Sequence, residues 1–229
     1  QGNRIAGNAI YANGVGINDL PIDLGADGNA GSLPDGNDAD SGPNGYQNYP
    51  EFTATPTTDG TTLTVRGRLL TSGAIQTYRL HFYASAGLGP STDGEGERYL
   101  GYHDLVNPVA FQLFTANIVA PVANGEYITM TATRIAGGVA DTSELSGALR
   151  AASVHTISGT IYHDDEGDGA VGGDGGFAGA TVKLYRDDGD NTTDGGDTFL
   201  ATATTGAGGT YSFANVEHGH TYWGGVDAK

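Results

Sequence analysis

Carboxylates are the side chains in this sequence with the clearest capacity for chemistry. Ten of the 27 acidic residues lie between Asp164 and Asp197, where only Lys183 and Arg186 oppose them. Neighbouring carboxylates repel one another, so a folded segment that contains them usually requires a cation. Ca²⁺ suits this role because it prefers six to eight oxygen ligands in a flexible geometry. The acidic segment therefore predicts calcium binding.

The first part of this segment follows the alternating pattern of a calcium-binding loop. Alternate positions direct side chains into one loop, and a glycine after the third ligand permits a sharp turn. The pattern departs from an EF-hand loop in its second ligand, a glutamate, and in its closing carboxylate, which comes one residue early. A solvated acidic loop is the alternative. The predicted ligands are Asp164, Glu166, Asp168, the carbonyl of Ala170, and Asp174.

Two further loops are candidate calcium sites, which makes one to three ions in all. In the loop after Tyr185, the predicted ligands are Asp188, Asp190, Asp194 and Asp197. A polar hairpin loop explains the same residues without an ion. In the N-terminal region, the predicted ligands are Asp23, Asp27, Asp35, Asn37, Asp38 and Asp40. Turn formation is the alternative there, because Asp and Asn are favoured in any tight loop.

Composition and motifs argue against catalysis. The chain has no cysteine, which excludes thiol nucleophiles and thiolate metal sites. It also lacks the Gly-Xaa-Ser-Xaa-Gly motif of serine hydrolases, and His218 and His220 are the one close histidine pair. A net charge of −17 repels nucleic acids and anionic lipid surfaces. We therefore expect a non-enzyme with no nucleic-acid partner and no membrane insertion.

The elements that must position these loops are predicted to be β-strands. Helical periodicity is nearly absent, whereas apolar and polar residues alternate between clusters of Gly, Asp and Asn. This pattern predicts an all-β protein. The candidate strands are Thr61 to Leu69, Thr77 to Ala84, Val109 to Phe114, Tyr127 to Arg134, Thr156 to His163, Ala180 to Tyr185, Phe199 to Thr204 and Thr210 to Ala214.

The N-terminal region has a different residue pattern from the rest of the chain. Its Asn, Ile and Gly residues are spaced as in one coil of a right-handed parallel β-helix, with Ile5 and Ile10 directed inward. A single coil buries almost nothing, because solenoid repeats cover one another. The spacing therefore predicts a short β-helix-like segment that needs further coils, a cap or a partner molecule.

Three parts of the chain resemble large secreted bacterial surface proteins. The stretch from Ile22 to Pro50 is similar to a segment that terminates a β-helix and leads into an immunoglobulin-like domain, and the motifs from Tyr78 to Ala84 and from Gly94 to Gly101 continue that resemblance. The residues from Ile157 to Gly169, with Phe177 to Tyr185 and Gly208 to Phe213, resemble the B-type repeats of collagen-adhesin and serine-aspartate-repeat proteins. The resemblance implies an extracellular location.

Together these observations predict a β-helix-like coil with an acidic loop at 1–49, an immunoglobulin-like β-sandwich at 50–152 and a B-type calcium-binding β-sandwich at 153–229. The predicted function is a non-catalytic, calcium-stabilised module of a bacterial or archaeal cell-surface stalk, adhesive matrix or self-assembling filament. Its predicted partners are copies of itself or the rest of a larger surface protein. Glycans are a further candidate partner. The alternative is a carbohydrate-binding or accessory module of a surface polysaccharide-degrading protein, which an exposed aromatic platform would favour.

Overall fold

The computed structural model describes residues 2–12, 20–25, 34–36, 38, 41–73, 75–89, 94–136 and 139–227. Within these ranges the structure contains β-strands and one 3₁₀ turn, Pro43–Tyr46, and no α-helix. The prediction of an all-β protein is confirmed. The chain forms two compact units, unit 1 at 1–153 and unit 2 at 154–229. The finer division into three parts stays a prediction.

Unit 1 contains two β-sheets. In the first sheet, β3 pairs with β6 on one side and with the short strands β1 and β2 on the other. In the second sheet the order is β5-β4-β7, and β8 and β9 both pair with the free side of β7. The strands are β1 Glu51–Phe52, β2 Thr57–Thr58, β3 Thr62–Leu70, β4 Thr77–Ser85, β5 Arg98–Val106, β6 Phe111–Val119, β7 Tyr127–Ala136, β8 Val139–Thr142 and β9 Leu149–Arg150.

The two sheets of unit 1 share one hydrophobic core. Inward-facing residues of β3 and β6, such as Leu63 and Phe114, belong to the same buried cluster as Leu80 and Phe82 of β4 and Met130 of β7. Side chains two apart on a strand lie on the same face, so the alternating apolar pattern of these strands produces this core directly.

The outer face of the second sheet is also buried, although its residues are polar. His81 and Tyr83 of β4 and Thr131 of β7 are almost fully inaccessible. The N-terminal segment 2–12 accounts for this burial. Its Ile5 N–H donates to Thr142 Oγ1 of β8 (2.9 Å), and Ile10 forms a two-way backbone bridge with Gly96, just before β5.

Because β8 and β5 lie at opposite sides of this sheet, the N-terminal segment crosses its outer face. Ile5 and Ile10 are half-buried there. Unit 1 therefore covers the Ile5 and Ile10 side chains in part, whereas most other described residues of the segment are exposed. A β-helix coil over 1–49 stays a prediction.

Unit 2 is smaller and has less core. The first two residues of strand β10 belong to unit 1 and pair with β2. From Val154 onward, β10 belongs to unit 2 and pairs with β15. A three-stranded sheet of order β14-β13-β16 and the two-residue hairpin β11-β12 complete the unit. Its strands are β10 Ala152–Thr160, β11 Tyr162–His163, β12 Gly175–Gly176, β13 Thr181–Arg186, β14 Thr198–Thr204, β15 Thr210–Glu217 and β16 Tyr222–Asp227.

The hairpin that carries the first acidic loop is anchored by backbone contacts. Ile161 N–H donates to Gly209 O (2.9 Å), and Phe177 N–H donates to Ile161 O (2.7 Å). Gly209 has φ +71°, and a Cβ added there would lie 2.2 Å from the Ile161 oxygen. Only glycine fits this position, because it has neither the left-handed strain nor the steric clash of other residues.

Candidate metal centre

The end of strand β13 positions the first residue of the candidate centre, Asp187. Strand β13 is the central strand of its sheet, and Asp187 follows its last residue. The Asp187 N–H donates to Thr221 O (3.0 Å), and the indole N–H of Trp223 donates to Asp187 Oδ1 (3.3 Å). These contacts hold a buried carboxylate at a fixed place beside the start of β16.

Asp187 also shapes the loop that follows it. Its Oδ2 accepts hydrogen bonds from the backbone N–H groups of Gly189 (2.9 Å) and Asn191 (3.2 Å). Both donors have positive φ, +113° and +59°, which glycine and asparagine tolerate better than other residues. The loop therefore folds back over the Asp187 carboxylate.

Three carboxylates converge in this loop. One oxygen from each of Asp187, Asp188 and Asp197 lies within 4.8 Å of the other two. Asp187 is buried, Asp197 is half-buried and Asp188 is exposed. Asp197 Oδ2 accepts from the N–H of Asp194 (3.2 Å), while its Oδ1 is buried and has no hydrogen-bond partner among the described residues. The three carboxylates could hold a metal ion.

The electrostatics of the loop favour a cation. The charge of Asp190 and partial desolvation raise the pKa of Asp188, and the charges of Asp194 and Asp187 raise it further. A raised carboxylate pKa records crowding of like charges, which a bound cation would relieve. All the donors are carboxylate oxygens, the ligand type that Ca²⁺ prefers.

The structure thus brings together Asp188 and Asp197 of the predicted ligands in this loop. Asp190 Oδ1 instead accepts from the N–H of Thr192 (2.7 Å), and Asp194 Oδ1 accepts from that of Gly196 (2.6 Å). The sequence-based prediction omitted Asp187. Its position directly after the apolar alternation of β13 is the one signal for it in the sequence, because the contacts with Thr221 and Trp223 that hold it lie more than 30 residues away.

In the first acidic loop, the carboxylates of Asp164 and Asp168 accept hydrogen bonds from backbone N–H groups. Asp164 Oδ1 accepts from the N–H groups of Gly167 (2.7 Å) and Asp168 (3.2 Å), and its Oδ2 from that of Gly169 (3.2 Å). Asp168 Oδ1 accepts from Ala170 N–H (2.7 Å).

The closing residue of this loop, Asp174, accepts from Asp165 N–H (3.1 Å), and the side chain of Glu166 lies near Gly173. Among the described residues, Asp164, Glu166, Asp168 and Asp174 do not form a convergent group of three carboxylates. The calcium prediction for this loop stays a prediction.

The N-terminal candidate ligands are described in part. Asp27, Asn37 and Asp40 lie outside the described residues, and Asp23 lies within the described segment 20–25. Asp38 N–H donates to Asp35 Oδ1 (2.7 Å), and Asp38 Oδ1 accepts from Asn48 N–H (2.9 Å). Burial raises the pKa of Asp38, although the bond from Asn48 opposes the shift. These two carboxylates tie their loop to Asn48.

Exposed aromatic residues, which would favour the carbohydrate alternative, are dispersed. Tyr102 lies on the second sheet of unit 1 beneath the guanidinium of Arg79, whose Cζ is 3.9 Å from the ring centroid. Phe111 lies on the first sheet, next to Arg68 (5.5 Å). His218 lies beside His155 (ring centroids 5.0 Å apart), whereas His220 faces Glu217, so the close histidine pair does not converge on one point.

Comparison with known proteins gives no match that bears on these sites. No protein-family model matches the chain, and the search of curated proteins gives no significant match. Across the described ranges, no helix is long and apolar enough to cross a membrane.

Proposed function

We propose that this chain is a non-catalytic, calcium-stabilised structural module of an extracellular protein, acting in a cell-surface stalk, adhesive matrix or filament. In this proposal unit 1 is an immunoglobulin-like sandwich and unit 2 a B-type calcium-binding sandwich. The observation that carries the proposal is the convergence of Asp187, Asp188 and Asp197 at the end of β13.

Calcium is the proposed ion because of the donors present. Hard oxygen ligands in a loop of mixed burial suit a large cation with flexible coordination better than Mg²⁺, which demands a near-ideal octahedron. Calcium sites of extracellular modules have dissociation constants of about 10⁻⁴–10⁻³ M. A cluster with one buried, one half-buried and one exposed carboxylate fits this weak range.

A structural role follows from where the ion would lie. Asp187 is bonded to Thr221 and Trp223 at the start of β16, while Asp197 directly precedes β14. An ion held by both residues would join the two outer strands of the three-stranded sheet through the loop at its end. Such an ion would resist separation of these strands. A structural module on a cell surface requires this resistance when it is under tension.

The test is a calcium titration of the whole chain followed by the fluorescence of Trp223, the sole tryptophan. We expect saturation in the range of about 10⁻⁴–10⁻³ M. Asp187→Asn should weaken binding about tenfold or more, because it removes the buried charge of the site and calcium affinity depends on the number of charged ligands. Asp227→Asn removes one charge from an exposed strand position in the same unit and should bind as the wild type does.

A wild-type chain that shows no spectral or calorimetric response to 10 mM Ca²⁺ contradicts the proposal. If calcium binds equally to wild type and Asp187→Asn but not to Asp168→Ala, the ion occupies the loop of Asp164 to Asp174 instead. In that case calcium stabilisation stands, and the assignment to Asp187 is wrong.

A further inference from the structure

One strand of unit 1 is embedded in a long segment without charge. From Leu105 to Gly125 the chain has no acidic, basic or histidine residue, although the protein as a whole carries a net charge of −17. Strand β6, Phe111–Val119, occupies the middle of this segment. Asp104 and Glu126 are the nearest charged residues on either side along the chain.

Strand β6 is also an edge strand. It pairs with β3 over nine consecutive positions without a register shift, and no strand of the described chain pairs with its other side. An edge of this kind exposes a row of backbone donors and acceptors, which natural proteins usually block with charges, prolines or bulges. Strand β6 has none of these.

Strand β5, which precedes β6 in the chain and forms one edge of the second sheet, shows the usual protection. Strand β5 carries Arg98 and Asp104, and its pairing with β4 is interrupted by a register shift at Phe82 and Tyr83. The remaining edges of unit 1 on the second sheet, β8 and β9, are four and two residues long. Strand β6 is therefore the long, regular and uncharged edge of unit 1.

The side chains of β6 alternate strictly. Phe114, Ala116 and Ile118 face the core. Phe111, Leu113 and Val119 face outward and are 50%, 59% and 87% exposed. The Leu113 carbonyl accepts a bond from the side-chain amide of Gln112 (2.7 Å), a local contact that a neighbouring strand would replace.

We propose that two copies of this chain pair antiparallel along β6, about a two-fold axis at Thr115. An antiparallel strand is self-complementary about such an axis, so both copies use the same surface. The register at Thr115 places Phe111 opposite Val119 of the second copy, and Thr115 opposite its own counterpart. Aromatic with β-branched pairs and Thr with Thr pairs are both favourable across strands.

The self-complementary register and the absence of charge along β6 favour a second copy as the occupant. Two copies, each with a net charge of −17, repel one another over most surfaces, and the uncharged segment lets their backbones approach without opposing carboxylates. Arg66 of β3 lies opposite Thr115 of β6. In the paired sheet it would be three strand spacings, about 14 Å, from Arg66 of the second copy, beyond the Debye length of about 10 Å at 0.1 M salt.

Sedimentation of the whole chain at increasing concentration tests the pairing, with chelator present so that calcium plays no part. We expect a monomer–dimer equilibrium for the wild type. Thr115→Lys places two charges face to face and should raise the dissociation constant at least about tenfold. Thr55→Lys adds the same charge at an exposed turn of unit 1 and should leave the equilibrium unchanged.

Cysteine substitution tests the register, because the chain has no cysteine of its own. Under oxidised glutathione, Thr115→Cys should give a disulfide-linked dimer, whereas Thr55→Cys should stay monomeric on a non-reducing gel. A wild type that is monomeric at every concentration overturns the proposal, as does a Thr115→Lys variant that dimerises with the wild-type dissociation constant. Cross-linking through Val119→Cys and not Thr115→Cys overturns the register. Since the interface lies in unit 1, these results do not depend on the proposed calcium site of unit 2.

Discussion

Unit 1 and unit 2 are both all-β, but they differ in how much apolar surface they bury. Among the described residues, unit 1 packs 18 buried hydrophobic residues into one core, whereas the core cluster of unit 2 has four. In unit 2 a cavity of about 400 Å³ opens beside Leu184 and Phe213. Because apolar burial is the dominant favourable term in folding, unit 2 has less of it to offset the entropy of its long loops.

The two units also hold their acidic residues differently. Unit 1 has seven basic and 15 acidic residues in 153 positions, and unit 2 has three basic and 12 acidic residues in 76. Four arginines of unit 1 form ion pairs with carboxylates, for example Arg79 with Asp104 (2.7 Å). In unit 2 the loop carboxylates mainly accept bonds from backbone N–H groups. We infer that the folding of unit 2 responds to cations more than that of unit 1.

The largest expected effect is the loss of unfolding free energy when a leucine is replaced by alanine in the core of each unit. Leu80→Ala removes a fully buried side chain from the middle of unit 1 and should lower the free energy of unfolding by about 4–5 kcal/mol. Leu184→Ala acts beside an existing cavity, so it should cost about 2 kcal/mol.

Two natural probes separate the units in this measurement. Met130, the sole methionine, lies in the core of unit 1, and Trp223, the sole tryptophan, lies in unit 2. Denaturant unfolding followed by the Met130 methyl resonance and by Trp223 fluorescence gives one curve per unit. Equal losses for the two variants would mean that the cores are packed equally well.

The next effect is a pH dependence confined to unit 1. His81 is 2% exposed, and burial, with the charges of Arg4 and Arg79, lowers its pKa to about 4, while Asp104 opposes the shift. The unfolded chain, with a histidine pKa near 6.5, binds the proton more strongly than the folded chain. The unfolding free energy of unit 1 should therefore fall by about 3 kcal/mol as the pH falls from 6.5 to 4.

The variant that isolates this effect is His81→Gln, which should flatten the dependence between pH 6.5 and 4 whatever its own stability. His155→Gln, at an exposed position of unit 2, should leave it unchanged. An NMR titration of His81 gives its pKa directly. A value near 6.5 would show that the N-terminal segment does not exclude water from the outer face of the sheet.

How much of this could be predicted from sequence depends on the range of the contacts. Strands β3, β4, β7 and β13 follow from their own alternation. Strand β5 does not follow from its sequence, because its bulge against β4 breaks the period of two. The burial of His81 could not be foreseen, because it requires Ile5 to reach Thr142, 137 positions away, and no local pattern records that pairing.

The candidate site shows the same limit. Sequence spacing identified the acidic loops, and Asp188 and Asp197 do lie together. The loop of Asp164 has the more regular alternation, but regular alternation does not decide whether carboxylates point at one another or at their own backbone. Asp187 enters the cluster through its bonds with Thr221 and Trp223, which lie more than 30 residues further along the chain.

A smaller effect should follow from calcium removal, and it would break the comparison if both units responded. With free calcium at about ten times its dissociation constant, binding at the proposed site would stabilise unit 2 by about 1.4 kcal/mol. Chelation should then lower the Tm reported by Trp223 by about 6–11 °C. The Met130 transition should not move. A shift of the Met130 transition alone would place the ion in unit 1, where Asp35 and Asp38 are the candidates.

The smallest expected effect is that of monovalent salt, which should change the Tm of the two units in different directions. Monovalent salt weakens the exposed ion pairs of unit 1, such as Arg68 with Glu51, each of which contributes less than about 1 kcal/mol. The same salt weakens repulsion among the carboxylates of unit 2, where the charge of Asp190 already raises the pKa of Asp188. With chelator present, NaCl raised from 0.05 to 1 M should therefore increase the Tm followed by Trp223 and leave that followed by Met130 equal or slightly lower. KCl should act alike, because screening does not depend on the identity of the cation. If both transitions rise together, screening relieves repulsion in both units, since unit 1 also has more acidic than basic residues, and its ion pairs do not reverse the effect of salt.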